Sequence, residues 1–395
     1  MTTWPQVAIA GGSLGGLTAA LLLRDLGCDV DVYERSEAVL TAPGAGIAVL
    51  QQTSRYLEER LGMPADSFCS STNNITFFRA DGTIEKSIPH RYHFAAWNTI
   101  YRLLHRAFGD ERYRMGVEVA SFENAPGAVT VNFSDGTSRS VDLLVCADGI
   151  RSMARAASLP DVKPEYAGYV AWRGTVPESQ LSADTYAALH DSISYQVIDH
   201  GHILIYPIPD ETGDIRPGHR LMNIVWYYNA DEQTQLPRLL TDRTGFRQGV
   251  SVPPGFLDLD VQQEVKDFAS SVLAPPLAEV VTSIDDIFLQ AVFDIEVPQM
   301  AFGRACIMGD AGFAARPHAA AGTAKAAQDA WALAEELERA NGDVPAALLV
   351  WQARQLDMGR NLVARTKATG EASQVHGTFG PDWPTLIFGL YAPGN

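Results

Sequence analysis

VAIAGGSLGGLTAALLLRDLGCDVDVYER, Val7 to Arg35, decides the fold. Val7 to Ala10 reads as a short apolar strand, and four of its five glycines, Gly11, Gly12, Gly15 and Gly16, follow directly where a strand would turn into a helix. Leu17, Ala20, Leu21, Leu23 and Leu26 then put an apolar face on that helix, Gly27 ends it, and Val30 to Tyr33 returns as a second strand. In a βαβ unit of this kind the first glycine permits the tight turn, the second lets backbone approach a pyrophosphate, and the third lets helix pack on strand. Gly11, Ser13 and Gly16 occupy those places. Serine thus replaces the middle glycine, and its hydroxyl can itself donate to phosphate. The phosphates would sit at the helix N-terminus beside Ser13 and Leu14. Glu34, eighteen positions after Gly16, is placed to accept from ribose hydroxyls; a carboxylate there opposes a 2′-phosphate, so FAD or NAD is expected rather than NADP.

The rest of the composition narrows the partners. The 395 residues are 46% hydrophobic, enough for one large core or two fused domains, and carry a formal net charge of −17 without a run of like charges. Nucleic acid and anionic membranes are poor partners for such a surface, and small molecules are favoured. Cys28, Cys69, Cys146 and Cys306 lie far apart with no CxxC pair, which suits a reducing compartment. The opening apolar run has no basic region before it and is broken by glycines, unlike a signal peptide, and no apolar stretch is long enough to span a bilayer. A cytoplasmic protein is expected.

Texture divides the chain. Runs such as ITFFRADGTIEKSI, YVAWRGTV, SYQVIDHGHILIYPIP and LMNIVWYYN alternate, are rich in aromatics, and contain DG and HG turns, so they read as an antiparallel sheet inserted into an α/β part. The expected architecture is α/β: a three-layer, Rossmann-like nucleotide-binding domain with a mostly parallel sheet, built from residues 1–68, 94–165 and 285–370. The inserted α+β substrate domain takes residues 69–93 and 166–284, and residues 371–395 form a tail.

Two more motifs sit after strands. CADGIRSMAR (146–155) follows LLV, and MGDAGFAARPHAAAGTAKAAQDA (308–330) ends a strand at Asp310 before a glycine-rich, proline-containing entry into a helix. An aspartate at a strand's carboxyl end can bind a ribitol or ribose hydroxyl, and a helix N-terminus just after it can stabilise negative charge on a reduced ring. The histidines show no HExxH or paired spacing, so no metal is expected. GGSLGG is not a GxSxG nucleophile elbow either, which disfavours a serine hydrolase.

With these motifs in order, the sequence resembles the group A flavin-dependent aromatic hydroxylases over nearly its whole length. The carriers are the fingerprint ending in Glu34-Arg35, the DG motif at Asp148-Gly149, and Gly309-Asp310 with Pro317 and Gly322. PGAGI, with Gly46 and Ile47, is similar to the flavin-contacting loop of that family, and Arg102 in IYRLLHRAF is similar to its FAD-contacting arginine. AGYVAWRG, DHGHILIYPIP and RPHAAAGTAKAAQDA are most similar to members that act on hydroxypyridines. Departures are Ser13, Cys146 at the start of the DG motif, and Phe313 where many members have histidine. The resemblance implies tightly bound, non-covalent FAD, transient NADH or NADPH, and O2, with an electrophilic flavin C4a-hydroperoxide attacking an electron-rich ring. It also implies a possible homodimer.

For the protein side of that chemistry, His318 falls where the family's loop passes the flavin and is expected to orient substrate or shuttle a proton. Tyr206 is the other catalytic candidate. Tyr195 and Trp226 are expected pocket walls alongside Tyr206 and His318, Arg173 is either a structural partner or a substrate contact, and His200 and His202 flank a turn, one exposed and one half-buried. Other readings are a hydroxylase of 6-hydroxynicotinate, a salicylate-type phenol or urate, a related epoxidase or oxidase, and a non-catalytic nucleotide-binding protein.

Overall fold

The structure is a computed structural model that describes residues 4–37 and 46–395. Pro43, Gly44 and Ala45 of PGAGI therefore lie outside the described residues. The opening stretch folds as its pattern dictates: strand Gln6–Ala10, helix Leu14–Asp25, strand Asp29–Glu34. Gly27 ends the helix at φ +99°, its N–H donating to the Arg24 carbonyl. These strands lie side by side and parallel at the centre of a six-stranded sheet, with Leu143–Cys146 and Ala305–Ile307 on one side and Tyr113–Met115 on the other. Only the edge hairpin of Ala301–Phe302 with Ala305–Ile307 is antiparallel. Helices Leu14–Asp25, Trp97–Phe108 and Gly322–Arg339 pack together on one face, and the sheet of Val119–Ala125, Ala128–Phe133 and Ser138–Val141 packs on the other. This is the expected three-layer arrangement.

The second sheet runs Ser251–Val252, Phe288–Glu296, Glu165–Pro177, Leu221–Asn229, Gly201–Ile208, Ser192–Ile198, Ser70–Phe78, Ile84–Ala96 and Gly46–Ala48. It departs from the expectation twice. Ser192–Ile198 pairs parallel with Ser70–Phe78, so the sheet is mixed, because two segments distant in sequence meet there rather than a hairpin closing on itself. Phe288–Glu296 and Gly46–Ala48, assigned from sequence to the nucleotide-binding part, hydrogen-bond into this sheet.

Alternation along these strands decides what faces the site. Ile203, Ile205, Ile224 and Trp226 point to a core capped by helices Leu259–Val272 and Pro275–Thr282. His202, Leu204, Tyr206, Val225 and Tyr227 point the other way, into a cavity. The cross-strand register locks the parity, with His202 opposite Tyr227 and Leu204 opposite Val225.

Residues 371–395 are more than a tail. After helix Val344–Gln374 the chain folds back so that Phe379, Thr385, Leu386 and Phe388 wall the same cavity. Phe388 N–H donates to the Tyr92 hydroxyl, Gly389 N–H to the Ala319 carbonyl, and Arg365 to the carbonyls of Gly389 and Leu390. Among the described residues, no helix is long and apolar enough to cross a membrane.

Candidate active site

The cavity, about 700 Å³, lies between the parallel sheet's carboxyl edge and the second sheet. At the parallel-sheet end its wall is the glycine turn. Gly11 sits at φ +99°, where an added Cβ would stand 2.4 Å from the Ala147 carbonyl oxygen, and a Cβ on Gly16 would stand 1.9 Å from the Gly11 oxygen. The sequence reading left Gly12 without a task. Its missing Cβ makes room for Tyr113, whose hydroxyl donates to the Gly12 carbonyl at 3.0 Å. Ser13 is the N-cap of helix Leu14–Asp25, and its side chain makes no capping bond. Ser13, Leu14 and Gly15 line the cavity, so free N–H groups of that helix end face it.

Helix Gly322–Arg339 also begins at the cavity, with Ala321 as an N-cap that has no side chain able to cap. Two uncapped helix N-termini thus converge on one space, an arrangement suited to two anionic groups of one ligand. At Gly149 and Gly322, both lining the cavity, an added Cβ would meet no atom within 4 Å, so backbone lies open to a ligand there.

Three carboxylates flank this end. Glu34 Oε2 accepts from Gly12 N–H at 2.8 Å and Oε1 from Ser36 N–H at 3.0 Å, leaving lone pairs for further donors. Asp148 Oδ2 accepts from the N–H groups of Met153 and Ala154, while its Oδ1 is buried without a partner; burial raises its pKa. Asp310 is exposed to the cavity, and the protein atoms crowded around it raise its pKa against the pull of the Lys325 charge. Arg155 Nη1 donates to the Ala311 carbonyl at 2.9 Å, tying the DG segment to the GD segment.

Lys325 and Asp329 were not singled out in the sequence. They form a buried ion pair under Gly309: Lys325 Nζ donates to the Gly309 carbonyl at 3.0 Å, and Gly309 N–H donates to Asp329 Oδ2 at 2.8 Å. Their spacing of four on a helix was the available signal, but such pairs usually sit on exposed faces.

Gly46 joins the two halves of the cavity. Its N–H donates to Asn223 Oδ1 at 2.8 Å, and its carbonyl accepts from the Tyr206 hydroxyl at 2.8 Å and from Arg173 Nη2 at 3.0 Å. Tyr206 is a cavity wall whose hydroxyl is engaged in holding the first residue of strand Gly46–Ala48. Arg173 bonds Gly46 and Gln290, and among the described residues it has no carboxylate partner and its buried Nε no acceptor.

The far end is aromatic. Tyr195, Tyr227, His202 and His318 all line it. His318 Nε2 lies 2.7 Å from the Tyr169 hydroxyl, and His202 Nδ1 lies 2.6 Å from Ser373 Oγ. Burial pushes His202 down to about 3; burial, then His202 and Arg316, push His318 well below its ordinary value, so both rings are neutral.

Other expected residues fall elsewhere. Trp226 is a correction: it is fully buried on the opposite face, stacked on Phe268 with centroids 5.4 Å apart, and Tyr227 takes the wall position. Three consecutive aromatics, Trp226, Tyr227 and Tyr228, left the parity undecided in the sequence. His202 is buried, not half-buried, while His200 is exposed in the turn at φ +50°. Arg102 donates to the Glu211 carbonyl, Arg35 is exposed, and neither lines the cavity, whereas Ile47 and Pro317 do.

A family model described as FAD binding domain-like matches residues 166–294. The chain is 36% identical over 389 residues to the 2,6-dihydroxypyridine 3-monooxygenase of Paenarthrobacter nicotinovorans, covering 98% of this chain and 96% of that one.

The chain belongs to the FAD-dependent aromatic monooxygenases.

The solved structure of 2,6-dihydroxypyridine-3-hydroxylase from Arthrobacter nicotinovorans superposes on this monooxygenase with a TM-score of 0.93 at 34% identity, covering 100% of this chain and 99% of that one. A salicylate hydroxylase substrate complex shares the fold, with a TM-score of 0.76 at 22% identity over 97% of this chain and 91% of that one. The FAD-dependent urate hydroxylase of Klebsiella pneumoniae is 26% identical, covering 92% of this chain and 88% of that one. For this monooxygenase the residues present fit FAD: two bare helix N-termini, open backbone at Gly149 and Gly322, and the unpartnered Asp148 Oδ1.

Proposed function

We propose that the enzyme hydroxylates a small, electron-rich hydroxypyridine, with 2,6-dihydroxypyridine the substrate of first choice. The observation that carries this is the character of the far end of the cavity. It is walled by aromatic rings and offers hydrogen-bond donors and neutral imidazoles, with no carboxylate among its lining residues beyond Asp310 at the other end. Such a pocket favours a planar ring bearing oxygens that accept hydrogen bonds, and disfavours a cation. Similarity to the 2,6-dihydroxypyridine 3-monooxygenase supports the same choice.

Bound FAD would supply reduction by NADH or NADPH and delivery of one oxygen atom from O2 to the ring. Glu34 and the end of helix Leu14–Asp25 would hold its nucleotide part, and Asp310 and the end of helix Gly322–Arg339 its flavin part. Gly46, clamped by Tyr206, Arg173 and Asn223, would fix the start of strand Gly46–Ala48 beside the ring. Phe379, Leu386 and Phe388 would exclude water from above. On this reading His318 orients the substrate by packing its ring against it, since Nε2 is bonded to Tyr169 and Nδ1 is buried. Four buried free cysteines suit a cytoplasmic location, and the family resemblance favours a homodimer.

The test is a screen of hydroxypyridines, hydroxybenzoates and urate with the FAD-loaded enzyme. 2,6-dihydroxypyridine should stimulate NADH or NADPH oxidation with stoichiometric O2 uptake and yield a trihydroxylated pyridine. Stimulation by hydroxybenzoate or urate alone would overturn the choice.

A further inference from the structure

His202 and His318, with ring centroids 5.6 Å apart, are each held from behind by a hydroxyl. A neutral imidazole carries one N–H, and the partner on one nitrogen decides where it sits. Ser373 Oγ accepts from Gln374 Nε2 at 3.0 Å and lies 2.6 Å from His202 Nδ1, a nitrogen able to take the hydroxyl's own proton. Nδ1 is then the accepting nitrogen and Nε2 carries the hydrogen. His202 Nε2 has no partner in the protein and is not among the buried unpartnered atoms, so it opens on the cavity that His202 lines.

His318 follows the same logic. Arg316, paired with Asp294, lies over the Tyr169 ring and can only donate, so His318 Nε2, 2.7 Å from the Tyr169 hydroxyl, is the nitrogen able to take its proton. The hydrogen of His318 is thereby placed on Nδ1, which is buried and has no partner among the described residues. The groups around His202 are Tyr195, Tyr227, His318 and the stacked ring of Phe379, all without formal charge. The hydroxyls of Tyr195 and Tyr227 also lack protein partners and open on the cavity.

We propose that Ser373 fixes His202 as an Nε2–H donor to an oxygen of the substrate ring, so that His202 binds the ring and does not deprotonate it. The proposal rests on the hydroxypyridine reading and names its recognition chemistry. Ser373 is a positioning residue, placed on the last helix away from the ring it serves. With its accepting nitrogen already occupied, His202 is a donor and not a base.

The test uses FAD-loaded enzyme and 2,6-dihydroxypyridine, with binding read from the perturbation of the flavin spectrum. His202→Leu should weaken binding about tenfold, the loss expected for one buried hydrogen bond. His202→Gln, which restores a donor, should recover most of it. In enzyme with ¹⁵N-labelled histidine, His202 should show hydrogen on Nε2, and Ser373→Ala should mix the two tautomers while FAD content stays unchanged. Hydrogen on Nδ1 of His202, or unchanged binding by a FAD-replete His202→Leu enzyme, overturns the proposal. If wild-type enzyme neither binds nor hydroxylates any hydroxypyridine, the substrate reading fails, and the nitrogen spectrum alone then upholds or overturns the Ser373–His202 assignment.

Discussion

Lys325 Nζ and Asp329 Oδ2 lie 2.7 Å apart with essentially no exposure of either side chain, and between them they hold both backbone groups of Gly309. Asp329 also supplies its carbonyl to Trp351 Nε1 at 2.9 Å, so the pair anchors the last helix to the GD turn. Asp310 projects into the cavity from that turn.

Removing one partner of a buried pair leaves the other charge uncompensated. Lys325→Met should therefore cost about 3–5 kcal/mol in urea unfolding and accelerate FAD loss. The double variant Lys325→Met, Asp329→Leu should be more stable than the single one. An equal or greater loss in the double variant would show that the pair is not the unit that holds the turn.

Tyr206→Phe tests whether that hydroxyl positions Gly46 or takes part in turnover. The ring stacks on Phe94 with centroids 4.2 Å apart and would stay in place, and Arg173 would still hold the Gly46 carbonyl. Stability should fall by about 1 kcal/mol, FAD release should quicken, and kcat should stay within a few-fold. A hundredfold drop in kcat with unchanged FAD retention would instead assign the hydroxyl to the reaction.

The glycine turn was legible in the sequence because its constraint is local: φ at Gly11 and the approach of Gly16 to Gly11 involve residues five apart. The cavity walls were not, because they depend on pairings between distant segments. Trp226 and Tyr227 carry equal aromatic signals, and only the pairing of His202 with Tyr227 says which faces the site. Likewise Phe379, Leu386 and Phe388 have no helical or strand period; they become walls because Arg365 and Tyr92 pin the chain back across the cavity.

Glu34→Gln separates the ribose role from the structural one. The carboxylate accepts from Gly12 and Ser36, and the amide oxygen can keep one of those bonds. The far-ultraviolet circular dichroism should be unchanged, while FAD affinity, titrated by flavin fluorescence, should fall about tenfold through loss of a charged acceptor. Unchanged affinity would remove the ribose contact.

The two neutral histidines predict how stability follows pH. In the unfolded chain each titrates near about 6.5, whereas His202 in the fold titrates at about 3 and His318 well below its ordinary value. Below pH 6.5 the unfolded state thus takes up protons that the native state refuses, so stability is intact above that pH and is lost on acidification. The cost is about 1.4 kcal/mol per pH unit for each ring. Raised carboxyls act in the opposite sense: Asp148 and Asp310 are protonated more readily in the fold, which favours the native state as pH falls through their folded values. Comparing wild type with His202→Gln cancels those terms. Between pH 6 and 5 the wild-type urea stability should fall more steeply than that of the variant, by about 1.4 kcal/mol over the unit. Equal slopes would mean that His202 accepts a proton in the folded protein, and the uncharged-donor reading of the cavity would fall with it.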